Sequence, residues 1–291
     1  MPQAPLYDRV RANCAEVARA ARWVSIVPGA TLEGGGVAGL DPAEHLLDGS
    51  PSDVARYVLI MDAINFGSGW FPTLRHGAEG TGGMTRRLTE RFRRDGGPWT
   101  ATELRAATPA LAAGVLDEDR RHPLMGHYAE ALRQLGAFLG DRDALDVVDA
   151  AGGSAARLAS SLADGMPYFE DPGFYKRAQI AANDLALAGV AAWDDADRLT
   201  VFADNLVPHV LRVDGVLAYD PELAALVDSG ALLPAGGAME TEIRACAVHA
   251  CELQAARLGV APRLLDNWLW NRGLEPAYAE RPAHLTRTVR Y

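Results

Sequence analysis

Lysine is almost missing from this chain: of its 28 basic residues, all but Lys176 are arginine. Cysteine is sparse as well. Cys14, Cys246 and Cys251 form an odd set that suits free thiols in a reducing compartment, not a disulfide framework. No apolar run approaches the length of a membrane span, and the opening MPQAPLYDRV lacks the apolar core of a signal peptide. A cytoplasmic location without a membrane partner is therefore expected. Positive charge is in deficit, with 38 acidic residues against 28 basic ones and a net charge of −10. That balance speaks against a dedicated nucleic-acid binder, which needs a basic surface, and leaves room for one phosphate in a local pocket.

Familiar catalytic signatures are also missing. The lysine follows Tyr175, so no Gly-Lys-Ser/Thr phosphate loop exists. No Gly-x-Gly-x-x-Gly follows a strand, and Phe66-Gly67 ahead of Ser68 rules out a nucleophile elbow there. His-Glu-x-x-His and Cys-x-x-Cys do not occur. Glu242, His249 and Glu252 share one helical face, but no second helix supplies matching ligands. They read as a solvated, charge-paired face, and no metal is expected.

What is present is helix-forming. Hydrophobic residues make up 49% of the 291 positions and charged residues 23%, a globular balance. Leu124, Tyr128, Leu132, Leu135 and Leu139 recur at helical spacing, and so do Ile243, Cys246, Ala247, Ala250 and Leu253. Ser50-Pro51-Ser52-Asp53 opens a third helix over 51–66. Helices are also predicted near 4–23, 85–94, 100–107, 143–163, 174–192, 196–203, 206–213, 221–228 and 261–271. Residues 23–32 and the tail 285–291 are the candidates for short extended pieces. Gly34, Gly35 and Gly36 mark a flexible joint, and 67–83 a longer loop. The expectation is an all-α fold with at most short strands. It forms a single helical domain over 1–291, with 165–175 the place where two lobes would meet.

The lone lysine has two readings. It is a leftover on a solvated face, or the position needs a compact ammonium whose pKa can shift on burial. Two aspartates sit between apolar runs, Asp204 in Val201-Phe202-Ala203-Asp204 and Asp266 in Leu264-Leu265-Asp266. Each is a helix cap or a group placed for chemistry. Taken together, two carboxylates and a buried lysine suit cleavage of a glycosidic bond, whose transition state resembles an oxocarbenium ion. Phe66, Trp70 and Trp268 are candidates to sandwich a flat base, if they are not ordinary core.

Asp62-Ala63-Ile64-Asn65-Phe66, Phe174-Tyr175-Lys176-Arg177-Ala178-Gln179-Ile180, Phe202-Ala203-Asp204, Glu240-Thr241-Glu242-Ile243-Arg244 and Leu264-Leu265-Asp266 with Leu269-Trp270 carry a resemblance. In this order they resemble the queuosine salvage family of queuosine 5′-phosphate N-glycosylase/hydrolases. The likeness runs from about His45 to Tyr291, and the tail His284 to Tyr291 resembles the family's ending. Two stretches depart from the family's pattern: Gly67-Ser68-Gly69-Trp70-Phe71-Pro72 after Asn65-Phe66, and Asn205-Leu206 after Asp204.

The resemblance implies a helical fold related to helix-hairpin-helix DNA glycosylases. It implies hydrolysis of queuosine 5′-monophosphate to queuine and ribose 5-phosphate, without a metal or other cofactor. It makes Lys176, Asp204 and Asp266 the expected catalytic residues, and places His45 near the base beside Asn65 and Phe66. Arg177, His284 and Arg287 are the expected phosphate contacts, with surface ion pairs as their alternative. Between the aspartates, Asp266 is expected at the sugar and Asp204 near the base or ribose. Two other functions stay open: a DNA or RNA base glycosylase on the same fold, and a non-catalytic helical protein that binds a nucleoside.

Overall fold

The computed structural model describes residues 4–35 and 39–291, so Gly36 of the expected glycine joint lies outside the described residues. Its helices are α1 (Leu6–Ala20), α2 (Pro51–Ala63), α3 (Gly80–Asp95), α4 (Ala101–Arg105), α5 (Pro109–Leu116), α6 (Pro123–Leu139) and α7 (Ala144–Ala150). They continue as α8 (Ala155–Gly165), α9 (Lys176–Leu187), α10 (Leu206–Val213), α11 (Pro221–Asp228), α12 (Ala238–Leu258) and α13 (Pro262–Gly273). Two short strands complete the architecture, β1 (Val24–Ile26) and β2 (Leu217–Tyr219). They pair antiparallel, with Val24 opposite Tyr219 and Ile26 opposite Leu217. The fold is all-α apart from this ribbon, as the sequence predicts.

Local chemistry sets the helix boundaries. Ser50 accepts from the Asp53 N–H with Pro51 at the first helical position of α2, and Thr100 and Glu103 form a reciprocal capping box on α4. The predicted helix over 143–163 is two helices, because Gly152 and Gly153 take positive φ values of 56° and 79° and turn the chain between α7 and α8. Helix α3 begins earlier than expected, through Gly80-Thr81-Gly82-Gly83, and α5 was not expected at all. The stretch at 196–203 is a single 3-10 turn, Ala196–Arg198, followed by chain without regular structure.

Helix α12 runs through the centre and is buried on nearly every face, polar residues included. Helix α1 lies along it, α2 and α8 pack on α9, and α13 packs on α10. The loop after α2 is shaped by the C-terminal tail. A Cβ on Gly69 would stand 2.2 Å from the Thr286 carbonyl oxygen, so only glycine permits this backbone-to-backbone crossing. The tail forms an isolated parallel bridge from Leu285 to Leu232 in place of a strand. Among the described residues no helix is long and apolar enough to cross a membrane.

Candidate active site

The site is assembled at helix ends. Tyr175 adopts a left-handed conformation (φ 52°) and turns the chain into α9, so that Lys176 is its first residue. Asp171 organises this turn: its carbonyl oxygen accepts from the N–H groups of Phe174 and Tyr175, and its Oδ2 accepts from the Lys176 N–H at 3.2 Å. Arg244 of α12 holds the same carboxylate at 2.6 and 3.1 Å. The Arg244 guanidinium lies between the Phe174 and Tyr291 rings, and its Nε donates to the Ala203 carbonyl at 2.9 Å. One buried ion pair therefore fixes the backbone beside both Lys176 and Asp204.

Asp204 is half-buried at the start of α10, where its Oδ1 accepts from the Leu206 and Val207 N–H groups at 2.8 and 3.2 Å. These two donors fix the orientation of the carboxylate at the helix start. Asp266 projects from α13 and accepts the Phe202 N–H at 2.7 Å. Burial pushes the Asp266 carboxyl up to about 8, with nearby Asp204 adding to the effect against the pull of that N–H and of Lys176. Lys176 is 4% exposed. Its Nζ donates to the Asn65 carbonyl oxygen at 3.3 Å and to Asn65 Oδ1 at 3.4 Å. Desolvation lowers its pKa, while Asp204, Asp62 and Asp266 oppose that loss of charge.

These groups surround a cavity of about 970 Å³, counting its open mouth. Lys176, Asp204, Asp266, Asn65 and His45 all line it. The sequence reading missed other members. Ile180, Asn183 and Asp184 lie one and two turns beyond Lys176 on the same face of α9 and also line the cavity. Burial raises the Asp184 carboxyl to about 7. The spacing 176, 180, 183, 184 is the signal that could have found them. The aromatic walls are Phe202 and Trp270. Trp70 packs against His127 and Trp268 against Arg272, neither in the cavity wall.

Four of the expected binding residues do not line the cavity. Phe66 is 2% exposed and stacks in the core against Tyr128 and the Arg177 guanidinium. Arg177 follows Lys176 on the helix and so faces the other way. It donates to the carbonyls of Ala63, Tyr168 and Val289 and ties α2, the 166–175 segment and the tail together. His284 is buried against the Tyr291 hydroxyl, and desolvation pushes its pKa down to about 3, so it is a neutral core group. Arg287 is exposed on the tail. Glu242 accepts the backbone N–H groups of Arg22, Trp23 and Val24, and Glu252 pairs with Arg11, so both have partners within the fold.

Comparison with known proteins gives one answer. The family described as queuosine salvage protein matches residues 45–291. The chain is 34% identical to the queuosine 5′-phosphate N-glycosylase/hydrolase of Sphaerobacter thermophilus, over 85% of this chain and 84% of the relative. It is similar to the proteins of the same description from Dictyostelium discoideum (37% identical, over 40% of each chain) and Mus musculus (30%, over 58% of this chain and 59% of the relative). On a match over residues 45–291, which include Lys176, Asp204 and Asp266, the chain belongs to the queuosine salvage protein family.

Proposed function

We propose that this chain is a hydrolase that cleaves the N-glycosidic bond of queuosine 5′-phosphate and releases queuine and ribose 5-phosphate. The names of its relatives support the substrate. The observation that carries the reading is the convergence of Lys176, Asp204 and Asp266 from three separate elements on one cavity, with two carboxylates in different electrostatic settings.

Those settings divide the roles. Queuine is a 7-deazaguanine, and the carbon that replaces N7 removes the usual protonation site of a departing purine. Another ring atom must be protonated, or the cationic sugar must be stabilised more strongly. Asp266, whose pKa is raised to about 8, holds a proton at neutral pH and can give it to the base. Asp204, receiving two N–H donors, supplies the negative charge that stabilises the oxocarbenium-like sugar. As the C1′–N9 bond breaks, its electron pair leaves with the base and the Asp266 proton joins it. Water adds at C1′ and passes its proton to Asp204, and proton exchange between the carboxyls restores the starting state. This assignment is the reverse of the sequence-based expectation, which set Asp266 at the sugar. The Lys176 ammonium tempers the repulsion between the carboxylates, and Phe202 and Trp270 offer flat apolar surface to the base.

The test is release of free base from queuosine 5′-monophosphate by the purified, chelator-treated protein, followed by chromatography with guanosine 5′-monophosphate as control. Release from the queuosine nucleotide alone is the expected result. Tight binding without release would leave a nucleotide-binding protein, and salt-dependent retention on DNA would favour a base glycosylase.

A further inference from the structure

Asp62 is the penultimate residue of α2 and is 0% exposed, and it does not line the cavity. Its Oδ2 has no hydrogen-bond partner among the described residues. A buried carboxylate with an orphaned oxygen destabilises a fold, so its presence calls for a reason beyond packing. Its Oδ1 does have a partner, Asn65 Nδ2 at 3.4 Å. The other end of that amide, Oδ1, faces the Lys176 ammonium at 3.4 Å.

An asparagine amide has a donor end and an acceptor end, and a lysine ammonium can only donate. An accepting carboxyl oxygen behind the amide and an ammonium in front of it therefore settle which way it points. The reversed amide would set N–H groups against the ammonium and oxygen against the carboxylate. We propose that Asp62 is a positioning residue: it orients the Asn65 amide and, through it, holds the Lys176 ammonium in place at the cavity wall.

The charged surroundings fit this role. Asp62 meets Asp184, Lys176 and Arg177, all on α9. Burial and Asp184 push its carboxyl well above the usual range, while Lys176, Asn65 and Arg177 pull it back. Lys176 in turn faces Asp204 and Asp266 from the 202–204 segment and α13. Removing Asp62 leaves those carboxylates in place but frees the amide to turn.

Two experiments test the proposal. The first is kinetic and rests on the function proposed above. Asp62→Asn keeps the shape but offers a donor as well as an acceptor, so the Asn65 amide is no longer held to one orientation. It is expected to lower kcat by about tenfold or more with KM within about threefold, as a misplaced catalytic group would. Its thermal midpoint is expected to hold or rise, because a buried carboxylate is gone. The exchanged pair Asp62→Asn/Asn65→Asp puts the donor on α2 and a group that can only accept beside the lysine, and is expected to recover at least about threefold in kcat over the single variant. Full kcat in Asp62→Asn, or a loss accompanied by a lower midpoint that the exchange does not rescue, overturns the proposal.

The second experiment does not depend on the substrate. Lys176 is the sole lysine, so isotope-labelled lysine gives one side-chain resonance. Asp62→Asn is expected to shift that resonance and lower the pH midpoint of its titration. An unchanged signal overturns the proposal even if the nucleotide is not cleaved. A shifted signal sustains it in that case, with only the proposed function failing.

Discussion

The Phe202 N–H stands 2.7 Å from Asp266 Oδ1 and joins α13 to the segment that carries Asp204 two residues later. The two carboxylates are thus set by one hydrogen bond across 64 residues of chain, and their separation does not depend on a flexible loop.

In the proposed mechanism each carboxyl carries a distinct step, so Asp266→Asn and Asp204→Asn are each expected to lower turnover by about a hundredfold or more. Both amides still accept the backbone N–H groups that the carboxylates accept, so folding should survive. Single-turnover release of base by each purified variant measures the loss. Near-normal turnover in either removes that residue from the mechanism.

The proposed role of Asp266 as proton donor predicts that activity falls as pH rises. The value of kcat/KM should show a descending limb centred near 8, set by burial of Asp266, and Asp266→Asn should lose that limb. Stability follows the same sign. Asp266 and Asp184 are raised from 3.8 to about 8 and about 7, so the folded state keeps protons that the unfolded chain releases. Their contribution is fully present below the unfolded value and is lost as pH rises through the folded values. The thermal midpoint of Asp266→Asn should therefore pull ahead of the wild type between about pH 4 and pH 8. Parallel midpoints across that range would count against a raised Asp266.

Lys176→Arg should not preserve function. The ammonium sits 4% exposed against Asn65, and a planar guanidinium is larger and spreads its charge over a fork. A loss of at least about a hundredfold in kcat is expected. An active arginine variant would return Lys176 to the status of a leftover in an arginine-rich chain.

Its neighbour behaves differently. Arg177 donates to three carbonyls from separate segments and lies between the Phe66 and Phe169 rings at 4.6 and 4.9 Å. Arg177→Lys cannot reach all three, and each unpaired buried carbonyl is costly, so a destabilisation of at least about 3 kcal/mol is expected. Urea denaturation measures it. An unchanged midpoint would show that the tail and the 166–175 segment are held by other contacts.

The helices that frame the site were readable because their signals are local. Proline and a capping side chain start α2 and α11 within a residue of the expected positions, and α6 and α12 show unbroken apolar spacing. The break at Gly152-Gly153 was hidden because apolar spacing continues across it, and the glycine-laden start of α3 disguised a helix that packing stabilises. Of the site, the residues with unusual chemistry were legible: a solitary lysine and two aspartates set in apolar runs. Arg177 and His284 looked like ligands for the same reason, and burial alone separates them. Asp184 was findable only through its helical spacing from Lys176 along α9, and Asp62 gave no local signal, since its significance comes from facing Lys176 across the α2–α9 contact.

The ion pair of Asp171 and Arg244, and the bond from Phe202 to Asp266, have a consequence for the protein's birth. A chain emerging from the ribosome carries Lys176 and Asp204 well before α13 is made. Until α12 and α13 are both in place, Asp171 lacks the Arg244 guanidinium that holds it and the Phe202 N–H lacks its Asp266 acceptor. In the proposed mechanism, catalytic competence therefore waits until both α12 and α13 have been made.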